Sequence, residues 1–274
     1  MADELKGLHI LLTGATSGIG RETVRALARR GARLLLHGRD PGKVEALCRE
    51  LSAGGAEVDG IVADLSSLAE TARLGREAAR TAGSLDVLIN NAGIGFGSDG
   101  NRREESPDGH ELRFAVNYLA PFLLAETLLE AGLPRRAIVN VASAGQEPID
   151  FEDLMTRRGY SGVRAYRRSK MALVMASLDV ARLHPELRVL CLHPGTYLDT
   201  NMVRDAGINP LGPATTGSDS ILAVLRAALR DGETGRYYDQ SHPGRALPQA
   251  YDESARARLR EETFRILSGL LPGL

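Results

Sequence analysis

The chain has 274 residues, 43% of them hydrophobic, with 34 Lys and Arg against 35 Asp and Glu and a net charge of −1. That balance argues against the basic excess of a nucleic-acid partner, while the apolar content is enough to bury a sizeable core. No apolar run reaches the roughly 18 residues of a membrane span, the N-terminal stretch Met1–Lys6 carries acids where a secretory signal needs a basic start, and Cys48 and Cys191 are too few and too far apart for a disulfide framework or a metal site.

In chain order, His9–Leu12 predicts a buried strand, and a helical pattern through Val24, Leu27 and Ala28 extends to about Arg30. Between them lies Thr13-Gly-Ala-Thr-Ser-Gly-Ile-Gly20. Strand, glycine turn and helix is the context that a dinucleotide fingerprint requires. Gly14 permits the tight turn, Gly18 lets the backbone approach a pyrophosphate, and Gly20 lets the helix pack on the strand. The helix N-terminus then offers free N–H groups to phosphates. The spacing Gly-x-x-x-Gly-x-Gly differs from the common Gly-x-Gly-x-x-Gly, and an ordinary strand–helix turn is the alternative.

Arg33–His37 predicts the second strand, followed by Gly38-Arg39-Asp40-Pro41. An acid at that strand end reads a ribose 2′-hydroxyl, whereas an Arg accommodates a 2′-phosphate. Arg39 therefore predicts NADP(H), with NAD(H) read by Asp40 as the alternative. A helix from Pro41 to about Leu51, a strand over Glu57–Ala63 and a helix from Ser67 to about Thr81 follow. Asp64, at the third strand's end, is placed to accept from an adenine amino group. Leu85–Asn90 predicts the fourth strand, and the small residues of Asn91-Ala92-Gly93 leave room for a flat ring. Strands alternating with helices at this interval read as a doubly wound parallel sheet.

Gly95–Gly109 reads as a loop beside the ligand edge of that sheet, and Glu111–Ala131 as a helix with Asn117 at its middle, where Asn is disfavoured. Ala137–Ala142 predicts the fifth strand, with Ser143 at its carboxyl end, the end at which such sheets bind ligands. The segment from Tyr166 to about Leu183 is helical by its apolar spacing. Tyr166 and Lys170 sit at i and i+4, so both leave one face about 5–6 Å apart. An ammonium at that distance is expected to pull a phenol's pKa from about 10 toward neutrality, which makes a proton donor or acceptor for a carbonyl–alcohol pair. A surface pair is the alternative, although Lys occurs only at 6, 43 and 170.

With Thr13–Gly20, Asn90–Gly93, Asn117, Ser143 and Tyr166–Lys170 in this order, the chain resembles the short-chain dehydrogenase/reductase (SDR) family over roughly residues 7–240. The resemblance implies a single NAD(P)-binding domain over 1–274, a Rossmann-type sheet of about seven strands flanked by helices. It also implies a tetrad. Tyr166 is the proton donor or acceptor, Lys170 lowers its pKa and binds the nicotinamide ribose, Ser143 orients the substrate oxygen, and Asn117 holds a water that links Lys170 to solvent. The cofactor positions it implies are Gly14, Thr16, Ser17, Gly18, Ile19, Gly20, Arg39, Asp64, Leu65, Asn91, Ala92, Gly93, Tyr166, Lys170, Pro194 and Gly195, with no metal.

Val189–Gly195 looks like the family's sixth strand and its Pro-Gly turn. Two departures stand out. Tyr166 follows Ser143 by 23 residues (143 to 166), a longer interval than usual, and the extra piece at about 146–162, with His193 before Pro194, is similar to the retinol-dehydrogenase-like branch. The stretch after the Pro-Gly turn is one residue longer than usual, so either Thr196 or Thr200 is placed to meet the carboxamide. Residues 196–213 correspond to the family's mobile substrate lid. Thr216–Leu229 is helical, Gly235–Asp239 predicts a last strand, Gln240–Pro248 a loop, and 252–271 a terminal helix whose apolar residues need either this chain's core or another subunit.

These features predict a cytoplasmic enzyme, an NADP(H)-dependent oxidoreductase acting on a small carbonyl or alcohol, with a homo-oligomer left open. A ketoreductase of a mid-sized, partly apolar substrate from specialised metabolism is the favoured form. The alternatives are an NAD-dependent alcohol dehydrogenase, a non-catalytic nucleotide sensor, and a dehydratase or epimerase on the same fold. Arg157 and Arg158 meet either an acidic substrate group or solvent.

Overall fold

The computed structural model describes residues 4–97, 99–100 and 102–270. The first half alternates as β1 (His9–Thr13), α1 (Gly18–Ala28), β2 (Arg33–Gly38), α2 (Pro41–Ala53), β3 (Val58–Val62), α3 (Leu68–Ala82) and β4 (Val87–Asn90). Side-chain caps start two of these helices: the Asp40 carboxylate accepts from the Lys43 N–H at 3.1 Å, and the Ser67 hydroxyl from the Glu70 N–H at 3.3 Å. The second half holds α4 (Leu112–Phe114), a π-helical segment (Ala115–Leu119), α5 (Ala120–Glu130), β5 (Ala137–Val141), α6 (Gly162–Leu183), β6 (Arg188–His193), α7 (Asn201–Asp205), α8 (Ala214–Asp231), β7 (Arg236–Asp239), β8 (His242–Gly244) and α9 (Glu253–Ile266).

All eight strands join one sheet in the order β3-β2-β1-β4-β5-β6-β7-β8. The first seven run parallel and β8 closes the edge antiparallel. A parallel strand is apolar on both faces because helices cover both. Ile10 and Leu12 enter one core with Leu27 of α1, Leu47 of α2 and Ile221 of α8. Leu11, between them, enters the opposite core with Leu74 of α3 and Leu124 of α5. The strand order reverses between β1 and β4, and in such a sheet the ligand crevice lies outside the carboxyl ends of those two strands.

Several expectations are corrected. β8 lies where Gln240–Pro248 reads as a loop, so the sheet has eight strands rather than about seven; three residues with Pro243 at the centre carry no strand pattern. The helix that bears Tyr166 begins at Gly162, one turn earlier than predicted. The helix over 111–131 is interrupted at Ala115–Leu119 by i→i+5 bonding. Its span Leu112–Glu130 is long and apolar enough to cross a membrane, but most of it is buried inside the protein, as in a core helix. Cys48, half-buried, and Cys191, fully enclosed, are both free thiols, as their separation in the sequence predicts.

The terminal helix packs on its own chain. Leu259 and Leu267 are buried, Phe264 meets Phe122 edge-on at 5.4 Å, and the Thr263 hydroxyl is 2.6 Å from that of buried Tyr118. Arg260 completes the attachment with an ion pair to buried Asp179 at 2.8 Å. Of the two predicted partners, this chain's own core is the one observed; the predicted helix end at Leu271 lies outside the described residues.

Candidate active site

The glycine turn sits at the carboxyl end of β1, held from both sides. The Thr13 hydroxyl oxygen accepts from the Asn91 and Ala92 N–H groups at 3.0 and 3.1 Å, and the Asn91 side-chain amide donates to the Thr13 and Gly14 carbonyls at 2.9 and 3.2 Å. From the β2 side, His37 Nδ1 accepts from the Gly14 N–H at 3.3 Å, which leaves Nε2–H to donate to the Ala63 carbonyl at 3.0 Å. Burial lowers the His37 pKa, so the neutral ring that this pairing needs is the favoured form. His37 is a turn-holding residue that the sequence did not single out.

Gly14 and Gly18 have φ of +68° and +50°, where a Cβ is strained. A Cβ on Gly20 would lie 2.1 Å from the Gly14 carbonyl oxygen. No acid occupies the first turn of α1 to compete for its N–H groups. A turn of bare backbone ahead of an uncapped helix N-terminus fits a pyrophosphate. Ser17 is exposed at the N-cap with no side-chain capping bond, and Thr16 packs toward Gly38. Ile19 points instead at Gly217 of α8.

Arg39 is exposed beyond β2 and makes no ion pair among the described residues. Asp40, the alternative reader, is engaged as the cap of α2. The Asp64 carboxylate accepts from the Ser66 N–H at 2.9 Å, and the Leu65 side chain belongs to the core.

At the carboxyl ends of β4 and β5 the other predicted residues converge. The Ser143 hydroxyl hydrogen-bonds the Tyr166 phenol and accepts from the Gly145 N–H at 3.0 Å. Lys170 is 3% exposed and donates to the Val141 carbonyl at 2.8 Å. Its Nζ is 6.0 Å from the centre of the Tyr166 ring. A Cβ built on Gly93 would stand 3.4 Å from Lys170 Nζ and 3.1 Å from Asn117 Oδ1, so Gly93 leaves the gap between them.

One electrostatic expectation changes here. Burial pushes the Tyr166 phenol above its ordinary value, and the Ser143 bond offsets only part of that. Any pull of Tyr166 toward neutrality by Lys170 is therefore outweighed by burial in this arrangement. Burial instead lowers the pKa of Lys170 to about 8, because desolvation disfavours its charged form.

Asn117 is fully buried in the π-helical segment. Its Nδ2 donates to the Ile94 carbonyl and the Ser169 hydroxyl oxygen, both at 3.0 Å, and its Oδ1 accepts from the Ile94 N–H at 2.8 Å. The amide thus pins the segment after β4 to the helix that carries Tyr166. A π-bulge costs regular helix bonding and recurs at functional positions; the mid-helix Asn was its one sequence signal. Asn117→Ala strands both backbone groups of Ile94, and is expected to cost about 2–4 kcal/mol in urea unfolding.

Gly195 has φ of +135°, and the preceding Pro194 carbonyl accepts from the Ser220 hydroxyl at 3.1 Å. Thr196 turns to His193, its Oγ1 3.1 Å from Nε2. Thr200 caps α7, and its methyl faces Gly18. Met202 of α7 lies over Gly95, so part of the 196–213 segment covers the loop after β4. In the 146–162 piece, the Asp153 carboxylate accepts from the Arg157 and Arg158 N–H groups at 2.7 and 2.9 Å. Both Arg side chains are exposed, and Arg158 faces Asp150 and Asp153.

Comparison with known proteins bears on this geometry. The family model for short chain dehydrogenase matches residues 8–210. A Streptomyces sp. (strain C5) protein, provisionally named daunorubicin C-13 ketoreductase DnrU, is 35% identical, covering 94% of this chain and 91% of its own. Retinol dehydrogenase 14 of Mus musculus is 32% identical over 97% of this chain and 87% of its own. A crystal structure of a provisionally assigned short chain dehydrogenase from Escherichia coli CFT073, complexed with NADPH, is 27% identical with a TM-score of 0.70, covering 87% of this chain and 98% of that one.

Proposed function

The chain belongs to the short-chain dehydrogenase/reductase family, near its retinol-dehydrogenase-like branch, as an NAD(P)-dependent oxidoreductase, and from that premise we propose that it works as an NADP(H)-dependent carbonyl reductase. It interconverts a ketone or aldehyde with an alcohol, acting in the cytoplasm on a mid-sized, partly apolar substrate of specialised metabolism. The observation that carries this reading is the meeting of Ser143, Tyr166 and Lys170 at the strand ends that also hold the glycine turn. The Streptomyces relative named for a C-13 ketone supports a ketone as the substrate class. A nucleotide sensor would have no use for a buried phenol–hydroxyl–lysine set, and this chain keeps all three.

When bound, the reduced nicotinamide supplies the hydride. The turn at Gly14–Gly20 would hold the pyrophosphate, and Ala92, Gly93, Pro194 and Gly195 would border the ring. Ser143 holds the substrate oxygen against Tyr166, and Tyr166 delivers the proton as negative charge develops there. Lys170, charged below about pH 8, stabilises the phenolate that remains. Asn117 has both amide protons committed, so a relay from Lys170 to solvent through its side chain uses the second lone pair of Oδ1. The apolar wall of Phe96 and Met202 suits an apolar substrate body.

Arg39 supports NADP(H) because it is a cation at the end of β2 that makes no ion pair among the described residues, while Asp40 is occupied as a cap. Fluorescence titration is expected to give NADPH a clear preference over NADH. Arg39→Ala should weaken NADPH by about tenfold to a hundredfold, the worth of a charged hydrogen bond, with NADH nearly unchanged. Equal losses for both would reject the phosphate role. The enzymatic reading itself is tested by NADPH-dependent reduction of aryl ketones; NADPH binding without turnover on any carbonyl would return the sensor reading.

A further inference from the structure

Among the described residues, Arg113 is the largest side chain that the fold fully encloses, with 2% of it exposed. A buried guanidinium is tolerated only when its donors are met, so their destinations are informative. Nε donates to the Gly95 carbonyl at 3.1 Å, and one terminal nitrogen to the Phe96 carbonyl at 3.2 Å and to Glu104 at 2.5 Å. The other faces the Tyr160 hydroxyl at 3.1 Å and Glu111 at 3.4 Å. Tyr160 in turn donates to Glu111 at 3.1 Å, and the second Glu111 oxygen caps α4 through the Phe114 N–H at 2.7 Å.

Two consecutive carbonyls of the loop after β4 therefore hang on one guanidinium. Gly97 must be glycine to admit it: a Cβ there, at φ +86°, would lie 2.3 Å from the guanidinium. The same Phe96 carbonyl is packed from the other side by Gly162, whose Cβ would fall 2.1 Å from that oxygen. Gly162 is the first residue of α6, one turn before Tyr166. The Phe96 ring then stands edge-on to the Tyr166 ring, with centroids 5.0 Å apart and planes at 87°.

We propose that Arg113 is a positioning residue for the reaction, clamping the Gly95–Phe96 backbone against the start of α6 so that the Phe96 ring fixes the orientation of the Tyr166 phenol and forms the wall beside the substrate oxygen. This rests on the carbonyl-reductase reading above. The charge alone does not do it. A lysine retains the ion pairs with Glu104 and Glu111 but cannot span two adjacent carbonyls as a planar fork does.

The discriminating variant is accordingly Arg113→Lys, with Arg113→Gln and Phe96→Leu beside it. The probes are acetophenone and phenylpropanedione with NADPH, together with amide hydrogen exchange across 94–97 in the NADPH complex. Arg113→Lys should fold, bind NADPH within about twofold of wild type, lose tenfold or more in kcat with a smaller change in KM, and exchange 94–97 at least fivefold faster. Phe96→Leu should show the kcat loss without the faster exchange.

Arg113→Lys with wild-type kcat would overturn the proposal, as would a loosened loop with unchanged turnover. A loss of kcat shared equally by NADPH affinity would also overturn it, since that marks general damage. Should Arg113→Gln fail to fold, Arg113→Lys carries the test alone. A wild-type protein that turns over no carbonyl, these probes included, overturns the reductase reading together with the role of Phe96, whereas active wild type beside an unaffected Arg113→Lys overturns only the proposal.

Discussion

Replacing Tyr166 by Phe is expected to lower carbonyl reduction by about 10²–10⁴-fold, the range a positioned general acid contributes, while NADPH affinity stays within a few-fold. The substitution removes one oxygen and leaves the ring, so the edge-on contact with Phe96 at 5.0 Å survives. What is lost is the phenol O–H itself, together with the oxygen that the Ser143 hydroxyl meets. Burial keeps that phenol above its ordinary pKa, so Tyr166 retains its proton through the neutral range and acts as an acid in the reducing direction. Stopped-flow turnover beside NADPH fluorescence separates the two effects. Turnover within tenfold of wild type in Tyr166→Phe would remove Tyr166 as the proton source.

The second large effect separates activity from stability. Lys170 is enclosed, and burial lowers its pKa from 10.5 to about 8. Between those values the unfolded chain still holds the proton that the folded chain has released. Stability contributed by this group therefore rises with pH across about 8–10.5. Below about 8 both states are charged, and the folded state bears the full cost of the buried cation, about 3 kcal/mol at roughly 1.4 kcal/mol per pKa unit. Lys170→Met carries no such cost. The stability difference between the two proteins should thus move in favour of Met by about 3 kcal/mol from above pH 10.5 to pH 7, read from urea unfolding at each pH.

A pH-independent difference would mean that Lys170 is not desolvated. Turnover should move the opposite way. The Met variant loses about 10²–10³-fold, because nothing then stabilises the phenolate, and wild-type reduction should itself decline as pH rises through about 8. The fold bears a costly cation at the place where the proposed chemistry uses one.

Much of this was legible before any contact was seen. The glycine turn, the strand ends at Asn91–Gly93 and Ser143, and the Tyr166–Lys170 pair are local patterns, and each falls at the carboxyl edge of the sheet where its spacing places it. Asn117 was legible as an anomaly, an Asn at mid-helix, although the π-helical segment that explains it was not. His37 gave no signal, because a histidine inside an apolar strand reads as core until its two ring nitrogens are seen to bridge the Gly14 N–H and the Ala63 carbonyl.

By itself the sequence determined the alternation of strand and helix, the doubly wound sheet, the glycine turn after β1 and the side chains proposed to react. Those follow from periodicity, glycine placement and residue chemistry within a few positions of one another. Tertiary structure alone decided that α9 covers its own chain, since the Tyr118–Thr263 bond joins residues 145 apart. It decided the direction of the Tyr166 and Lys170 shifts, because desolvation depends on what the whole fold packs around a group and not on its neighbour four residues away. It also decided the place of Arg113, whose partners at 95, 96, 104, 111 and 160 come together only when the loop, the helix and the inserted segment are folded against each other.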